Sequence, residues 1–448
     1  MQMYRIKKVM TLAGVAIFLP FFAACSAGGD ESESSDTSGS IEEMENALQE
    51  GGELTFWSWT PHAQEKVDAF EAKYPNVDVT LVNAGSAADE YKKLSNAIQA
   101  GKGVPDVVQI DYTAMPQYIY SGDLLDLTPY GFGDLKSDFL PGAWGAMEAD
   151  GGVYGLPEDS GPTSLYYNKA VYDANGIEVP STWDEFVDAA RKLHESDPST
   201  YLASETPDGL QTLAGIQLAG GNPFTVEGTS ININLQDEGS KKWADLWNKL
   251  LQEDLLSTTP QWSDDWYKQL GNGEIASLIT GAWMPGLLEA SASDASGDWR
   301  VAPLPTYDGT PISANNGGSG ESVMASTANP ALAAGFLKYI NSDPEAIQIM
   351  VNMGSFPSTV AALESPELAD LAPEYFGGEK INQVALESAQ YVNPDFQFLP
   401  YQNYANEIFV DSVGQSFANH TDLNEGLRQW QEDLVEYGNQ QGFTVTEG

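Results

Sequence analysis

Tryptophan, carboxylate and glycine at the ends of apolar runs are the groups here whose types and spacing could do chemistry. Trp283 follows Ile279-Thr280-Gly281, a strand end turned by glycine. Trp57 and Trp59 flank Ser58 at the close of another run; side chains alternate along a strand, so at least one indole is expected to face a cleft. Asp111 ends Val107-Val108-Gln109-Ile110 with no Lys or Arg near it in sequence. A carboxylate at a buried strand end needs a partner, and a ligand hydroxyl would be one. Capping the turn before Thr113 is the competing role. Gly317 and Gly318, within Asn316-Gly317-Gly318-Ser319-Gly320, could present backbone N–H groups to a ligand because glycine has no Cβ; a plain turn reads the same way. Indole faces, carboxylates and bare amides together suit a sugar, which offers apolar C–H faces and a rim of hydroxyls. For Trp283 the alternative is a core position, since the chain has 11 Trp.

Catalytic signatures are absent from the sequence. There is no GxSxG, HExxH or Walker A pattern, and His62, His194 and His420 stand apart from one another. A glycosidase needs only two placed carboxylates, and 65 acids leave such a pair open. The single cysteine, Cys25, removes any disulfide framework and any cysteine-based zinc site, and no metal or cofactor is expected. With 20 Lys+Arg against 65 Asp+Glu, the net charge of -45 repels phosphate backbones and argues against nucleic acid as a partner.

Elements of alternating type must position these groups. Leu54 to Trp59 reads as a strand, and Ala63, Val67, Phe70 and Tyr74 then recur at helical steps. Val77, Val79 and Leu81 alternate as a strand; Tyr91, Leu94, Ala97 and Ile98 mark a helix closed by Gly101 and Gly103. The Val107 strand follows. This order predicts a parallel, doubly wound α/β sheet with its ligand beyond the carboxyl ends of the strands. Further helices are expected from Trp183 to Leu193 with Thr182 as N-cap, around Trp243 to Leu251, at Ala331–Ile340 and Pro344–Met353, and from Tyr401 to Phe417.

The N-terminus reads as an address. Arg5, Lys7 and Lys8 precede an apolar run from Val9 to Ala24, short against the ~20 residues that span a bilayer. Phe22-Ala23-Ala24-Cys25 resembles a bacterial lipobox, which implies a signal peptide over 1–24 and lipidation of Cys25. The acidic, Ser/Gly-rich stretch 25–52 is expected to be a tether, with a short helix from Ile41 to Leu48 as an alternative for its second half.

A series of short motifs then carries a resemblance. Phe70-Glu71-Ala72-Lys73-Tyr74-Pro75, Gly103-Val104-Pro105-Asp106-Val107-Val108, Val153-Tyr154-Gly155-Leu156-Pro157, Asp159-Ser160-Gly161-Pro162, Tyr167-Asn168-Lys169, Gly281-Ala282-Trp283, Ala302-Pro303-Leu304-Pro305 and Phe356-Pro357 occur in that order. From Glu53 to about Phe417 the chain resembles the extracellular solute-binding proteins of ABC importers, the sugar-binding family that includes maltose-binding protein. The resemblance implies two α/β lobes closing on a ligand, with 53–158 and 303–342 in the first and 159–302 and 343–448 in the second. Crossovers are implied near Pro157–Asp159, Ala302–Thr306 and Asn341–Pro344. It further implies a sugar-stacking role for Trp283, a cleft-facing Asp159, and a groove segment containing Tyr401 and Gln402. The function implied is a monomeric, lipid-anchored receptor on the extracellular face of the membrane, delivering a mono- or oligosaccharide to a permease without breaking a bond. A polyamine, ferric iron or a peptide as ligand, and a secreted glycan-active enzyme, are the alternatives.

Overall fold

The computed structural model describes residues 40–85, 87–204, 208–353 and 355–448. The expected signal peptide and Cys25 lie outside them. The principal strands, in chain order, are β1 Gly52–Trp57, β2 Val77–Val82, β3 Val107–Asp111, β4 Leu156–Pro157, β5 Thr163–Asn168, β6 Ser277–Gly281, β7 Trp299–Ala302 and β8 Ser319–Val323. The principal helices are α1 Ile41–Glu50, α2 Ala63–Lys73, α3 Ala88–Ala100, α4 Met115–Ser121, α5 Trp183–Ser196, α6 Gly209–Leu218, α7 Glu238–Gln252, α8 Pro330–Ser342, α9 Pro344–Asn352 and α10 Leu423–Gln440.

The first lobe is built on one sheet in the order β2-β1-β3-β8-β4. Strand alternation divides its side chains between two faces. Leu54, Phe56 and Val107 pack with Phe70 of α2 and Phe336 of α8; Val108 and Ile110 pack with Leu94 of α3 and Tyr118 of α4. The sheet is mixed rather than parallel. β1, β2 and β3 are parallel, whereas β8 runs antiparallel to both β3 and β4. The reason is connectivity: β8 returns from the other lobe and enters the sheet at its carboxyl edge.

The second lobe centres on β6-β5-β7, antiparallel throughout. α5, α6, α7 and α10 form its larger core with Phe186, Leu213, Trp243 and Trp430. α5 starts as its sequence predicts: the Thr182 hydroxyl accepts from the Glu185 N–H, and the Glu185 carboxylate accepts from the Thr182 N–H. A cap of this kind stabilises a helix by about 1 kcal/mol.

Other expectations are revised by packing. The tether does not run to residue 52, because α1 docks on α8 with Met44 buried. The approach is close: a Cβ on Gly335 would lie 2.8 Å from Leu48. The second crossover falls later than Ala302–Thr306, since Leu304, Tyr307 and Ala314 still pack in the second-lobe core. It is Asn315 to Ser319 that runs beside the first crossover, with Asn315 bridged to Pro162. α9, assigned by sequence to the second lobe, packs instead on α2 and α8 of the first. The third crossover therefore follows α9, where Pro357 bridges Asp159. Residues 401–417 form two short helices, Gln402–Ile408 and Val413–Ala418, rather than one.

Candidate functional site

Between the lobes lies a cavity of about 390 Å³. Tyr112, Thr113, Pro116 and Tyr120, around the start and end of α4, line it from the first lobe, with residues 148–151 beside them. Gln217 of α6, Val226 and the loop Val392–Phe398 line it from the second. Asn315 and Gly317, on the second crossover, complete the wall. The lining is aromatic and amide-rich. Among the described residues it contains Glu148 and Asp150 but no Lys, Arg or His. Glu148 is already engaged, accepting from Lys136 Nζ at 2.6 Å and Trp144 Nε1 at 2.7 Å. Across the same interface Asn403 Nδ2 donates to Gln117 Oε1 at 3.0 Å, so the two lobes touch directly.

The sequence-derived candidates fall into three groups. Trp283, Asp159, Asp111, Gly317 and Gly318 come together along the second crossover. The Trp283 indole donates to the Asn316 carbonyl at 2.6 Å and sits against Gly317, where a Cβ would approach its Nε1 to 3.0 Å. Gly317 has φ +78° and Gly318 φ +103°, conformations that favour glycine. Asp159 accepts from the N–H and hydroxyl of Ser319, and Ser319 pairs across the sheet with Asp111. Of this group, Gly317 itself lines the cavity. Gly318 and Asp159 reach it through Tyr112, whose hydroxyl donates to the Asp159 carbonyl at 2.5 Å and whose ring fills the space beside Gly318.

Trp57 and Trp59 form the second group, half-buried one strand further from the crossover. Trp59 lies beyond the end of β1, its ring edge-on to Tyr91 at 6.3 Å. The Tyr91 hydroxyl in turn donates to Asp111 at 2.9 Å, the partner that sequence could not name. Tyr401 and Gln402 are the third group and require correction. Tyr401 is buried against Tyr437 and Phe443 with its hydroxyl on the Leu434 carbonyl, and Gln402 is buried with its amide bonded to Leu399 and Asn406. Neither side chain lines the cavity.

Sequence reasoning also missed a buried polar network that ties the crossovers together. Glu158 Oε1 accepts from Lys66 Nζ at 2.7 Å and contacts His62 Nε2 at 2.9 Å, with all three side chains almost fully buried. His62 Nδ1 lies 3.3 Å from Ser355 Oγ, and Gln109 Nε2 donates to Ser319 Oγ at 2.9 Å. The Glu158 N–H donates to Ser319 and its carbonyl accepts from Ser358, so one residue joins all three crossovers. A signal was present: Lys66 falls on the apolar stripe of α2 between Ala63, Val67 and Phe70. A lysine in a buried stripe demands an acid.

These environments move the carboxyl groups in opposite directions. Burial alone would push Glu158 up, but the charges of Lys66 and His62 outweigh it and hold the group below the usual carboxylate range. Burial pushes Asp111 from 3.8 to about 6 against the Tyr91 hydrogen bond. Burial and the Glu158 charge push Asp159 from 3.8 to about 6. Burial and the Asp111 charge push Glu90 from 4.5 to about 8. A raised folded-state value stabilises below the unfolded value and is lost as pH rises through the folded one. Asp111, Asp159 and Glu90 therefore cost stability between about pH 4 and pH 8, and mutual repulsion in a chain of charge -45 acts the same way. Glu158 acts oppositely, but only below its ordinary value of 4.5. The thermal midpoint is expected to rise as pH falls from 8 to about 5. A midpoint that is flat or falls over that range contradicts the assignment of buried, proton-binding carboxyls.

Similarity to known proteins agrees with this architecture. Residues 57–347 match the family model described as bacterial extracellular solute-binding protein. An arabinooligosaccharide-binding protein of Halalkalibacterium halodurans is 26% identical over 403 residues, 85% of this chain and 88% of its own. A lactose-binding protein of Rhizobium radiobacter is 28% identical, covering 74% of this chain and 81% of its own. Among solved structures, the ABC-transporter-associated binding protein of B. animalis subsp. lactis in complex with β-1,6-galactobiose superposes with a TM-score of 0.80. It is 38% identical and covers 88% of this chain and 99% of its own. The two lobes, the three crossovers and the matched span lead to one statement: the chain belongs to the bacterial extracellular solute-binding protein family.

Proposed function

We propose that this protein is the carbohydrate receptor of an ABC importer, binding a neutral saccharide in the cavity between its lobes and presenting it to a membrane permease. The lining of that cavity carries the reading. Tyr112, Tyr120, Phe396 and Phe398 offer ring faces, Asn315, Asn393, Gln217 and Gln397 offer amides, and among the described residues no cationic side chain lines the cavity to hold a phosphate or carboxylate. The relatives that bind arabinooligosaccharides, lactose and β-1,6-galactobiose support the same class. A polyamine would need several free carboxylates, and the engagement of Glu148 leaves Asp150. Recognition is by binding, with the permease distinguishing loaded from empty receptor by differential affinity for the two states. The lipobox-like Phe22-Ala23-Ala24-Cys25 supports an acylated, extracellular protein tethered to the membrane.

A thermal-shift screen of the chain from Ser40 tests this. Arabino- and galacto-oligosaccharides are set against sugar phosphates, spermidine and ferric citrate. A saccharide at a hundred times its Kd is expected to add about 2.7 kcal/mol of stability. A rise confined to sugar phosphates, spermidine or iron would overturn the ligand class.

A further inference from the structure

We infer that Glu321 is an un-ionised carboxylic acid at neutral pH, that its proton pins the first-lobe ends of the three crossovers, and that its loss at alkaline pH loosens them. This hinge proton is independent of what the cavity binds. Glu321 lies within β8, paired with Gln109 of β3 on one side and Leu156 of β4 on the other, and is fully buried. Asn341, in the last turn of α8, donates to the Leu156 carbonyl at 2.9 Å and to Glu321 Oε2 at 2.5 Å. The remaining atoms of the pair, Glu321 Oε1 and Asn341 Oδ1, are buried and have no hydrogen-bond partner. Both are acceptors if Glu321 is ionised, and two orphaned acceptors cannot serve each other. One proton on Oε1 changes that atom into a donor. The Glu158 carboxylate lies within hydrogen-bonding reach of this carboxyl, and the Asn341 oxygen belongs to the amide already bonded to it.

Charge gives the same answer. Lys66 and His62, at the start of α2, both contact Glu158 Oε1, and among the described residues no cation forms an ion pair with Glu321. Its neighbours Asn341 on α8 and Gln109 on β3 are neutral amides. Burial and then the Glu158 charge push the Glu321 carboxyl well above its ordinary value, against the weaker pull of Lys66 and the Asn341 hydrogen bond. Position gives the proton its consequence. Glu158 donates its N–H to Ser319, two residues before Glu321 on β8, and its carbonyl accepts from Ser358 on the third crossover. Asn341 leads through α9 to that same crossover. An ionised Glu321 would stand beside Glu158 as a second buried negative charge, and the two would repel at the point where the crossovers are tied.

Carbon-13 NMR of the protein with its glutamate carboxyls labelled tests the ionisation directly. At pH 7 two of the described glutamates are expected to be un-ionised, Glu321 and Glu90, whose carboxyl is raised to about 8. Glu321→Gln should remove one of these signals and Glu90→Gln the other. Should Glu321→Gln not fold, the single un-ionised signal expected in Glu90→Gln still decides, and only carboxylate signals there would overturn the proposal. Urea unfolding reads the same proton. Because the native state alone holds it, the unfolding constant is expected to rise with pH about tenfold per unit more steeply in the wild type than in Glu321→Gln, between about pH 5.5 and 7. Glutamine keeps a donor and an acceptor and should melt no lower than the wild type at pH 7, whereas Glu321→Leu leaves the Asn341 amide unpaired and should melt lower. Amide exchange at Ser358, corrected for its intrinsic rate, should lose protection in alkali in the wild type and keep it in Glu321→Gln. Parallel pH dependences, or equal protection in alkali, would overturn the proposal.

Discussion

Replacing Lys66 by methionine is expected to destabilise the free protein by about 3–5 kcal/mol at pH 7, the cost of leaving a buried carboxylate unpaired. Lys66 and Glu158 are both about 1% exposed, and their 2.7 Å contact has no solvent route for compensation. Glu321, also buried, sits close enough that its own carboxyl is pushed well above its ordinary range, first by burial and then by the Glu158 charge. Removing the ammonium would leave Glu158 with His62 as its remaining ion-pair partner among the described residues and Glu321 with the Asn341 amide. Protonation of Glu158 is the escape, so the deficit is expected to shrink between pH 7 and pH 5. The double variant Lys66→Met/Glu158→Gln should recover most of it, because the unpaired charge is gone. Urea unfolding of both variants at the two pH values measures this. A single variant within 1 kcal/mol of wild type at pH 7, or a double variant no better than the single, contradicts the account of the network.

The second large effect concerns affinity. Tyr120 reaches from the first lobe to pack against the core of the second, and Phe396 lies in the second-lobe loop across the cavity with its ring 5.4 Å from Phe398. Both are half-buried, so each can stack on a ligand without holding the core together. Truncating both to alanine is expected to weaken saccharide binding by about a hundredfold, since aromatic anchors dominate small-ligand and interface energetics. The melting midpoint of the unliganded protein should move little. Calorimetry of the double variant decides: affinity within a factor of about two of wild type would place the ligand elsewhere.

What could be read before the structure depended on how local each signal is. The strand into Asp111 and the capped helix at Thr182 are written in neighbouring residues, through alternation and through a reciprocal cap, and both formed where expected. Motifs spread along the chain implied two lobes but misplaced the second and third crossovers, which depend on packing between distant segments. The antiparallel entry of β8 was not legible, because it depends on which lobe the chain has just left. Tyr401 and Gln402 failed for a related reason. Their residue types suit a sugar, but Tyr401 turns onto α10 and Phe443, contacts made by Tyr437 and Phe443 far along the sequence, and Gln402 turns inward onto Leu399 and Asn406. The loop Val392–Phe398 has no periodicity at all, so its place in the cavity wall could not be derived from pattern. Trp283 and Gly317 were legible as a pair of types. That they touch was not.

The central claim is that an uncharged saccharide is held between the lobes by rings and amides. The measurement that tests it most directly is a titration of the best saccharide from the screen, by calorimetry, in low and in high salt, with the solution assayed afterwards for cleavage products. The account predicts one site per chain, a Kd that changes by less than about twofold between the two salts, and intact sugar at the end. A Kd that weakens about tenfold or more with salt would mean that charge, not stacking and amide bonding, recognises the ligand. Cleaved sugar would mean that the protein is an enzyme.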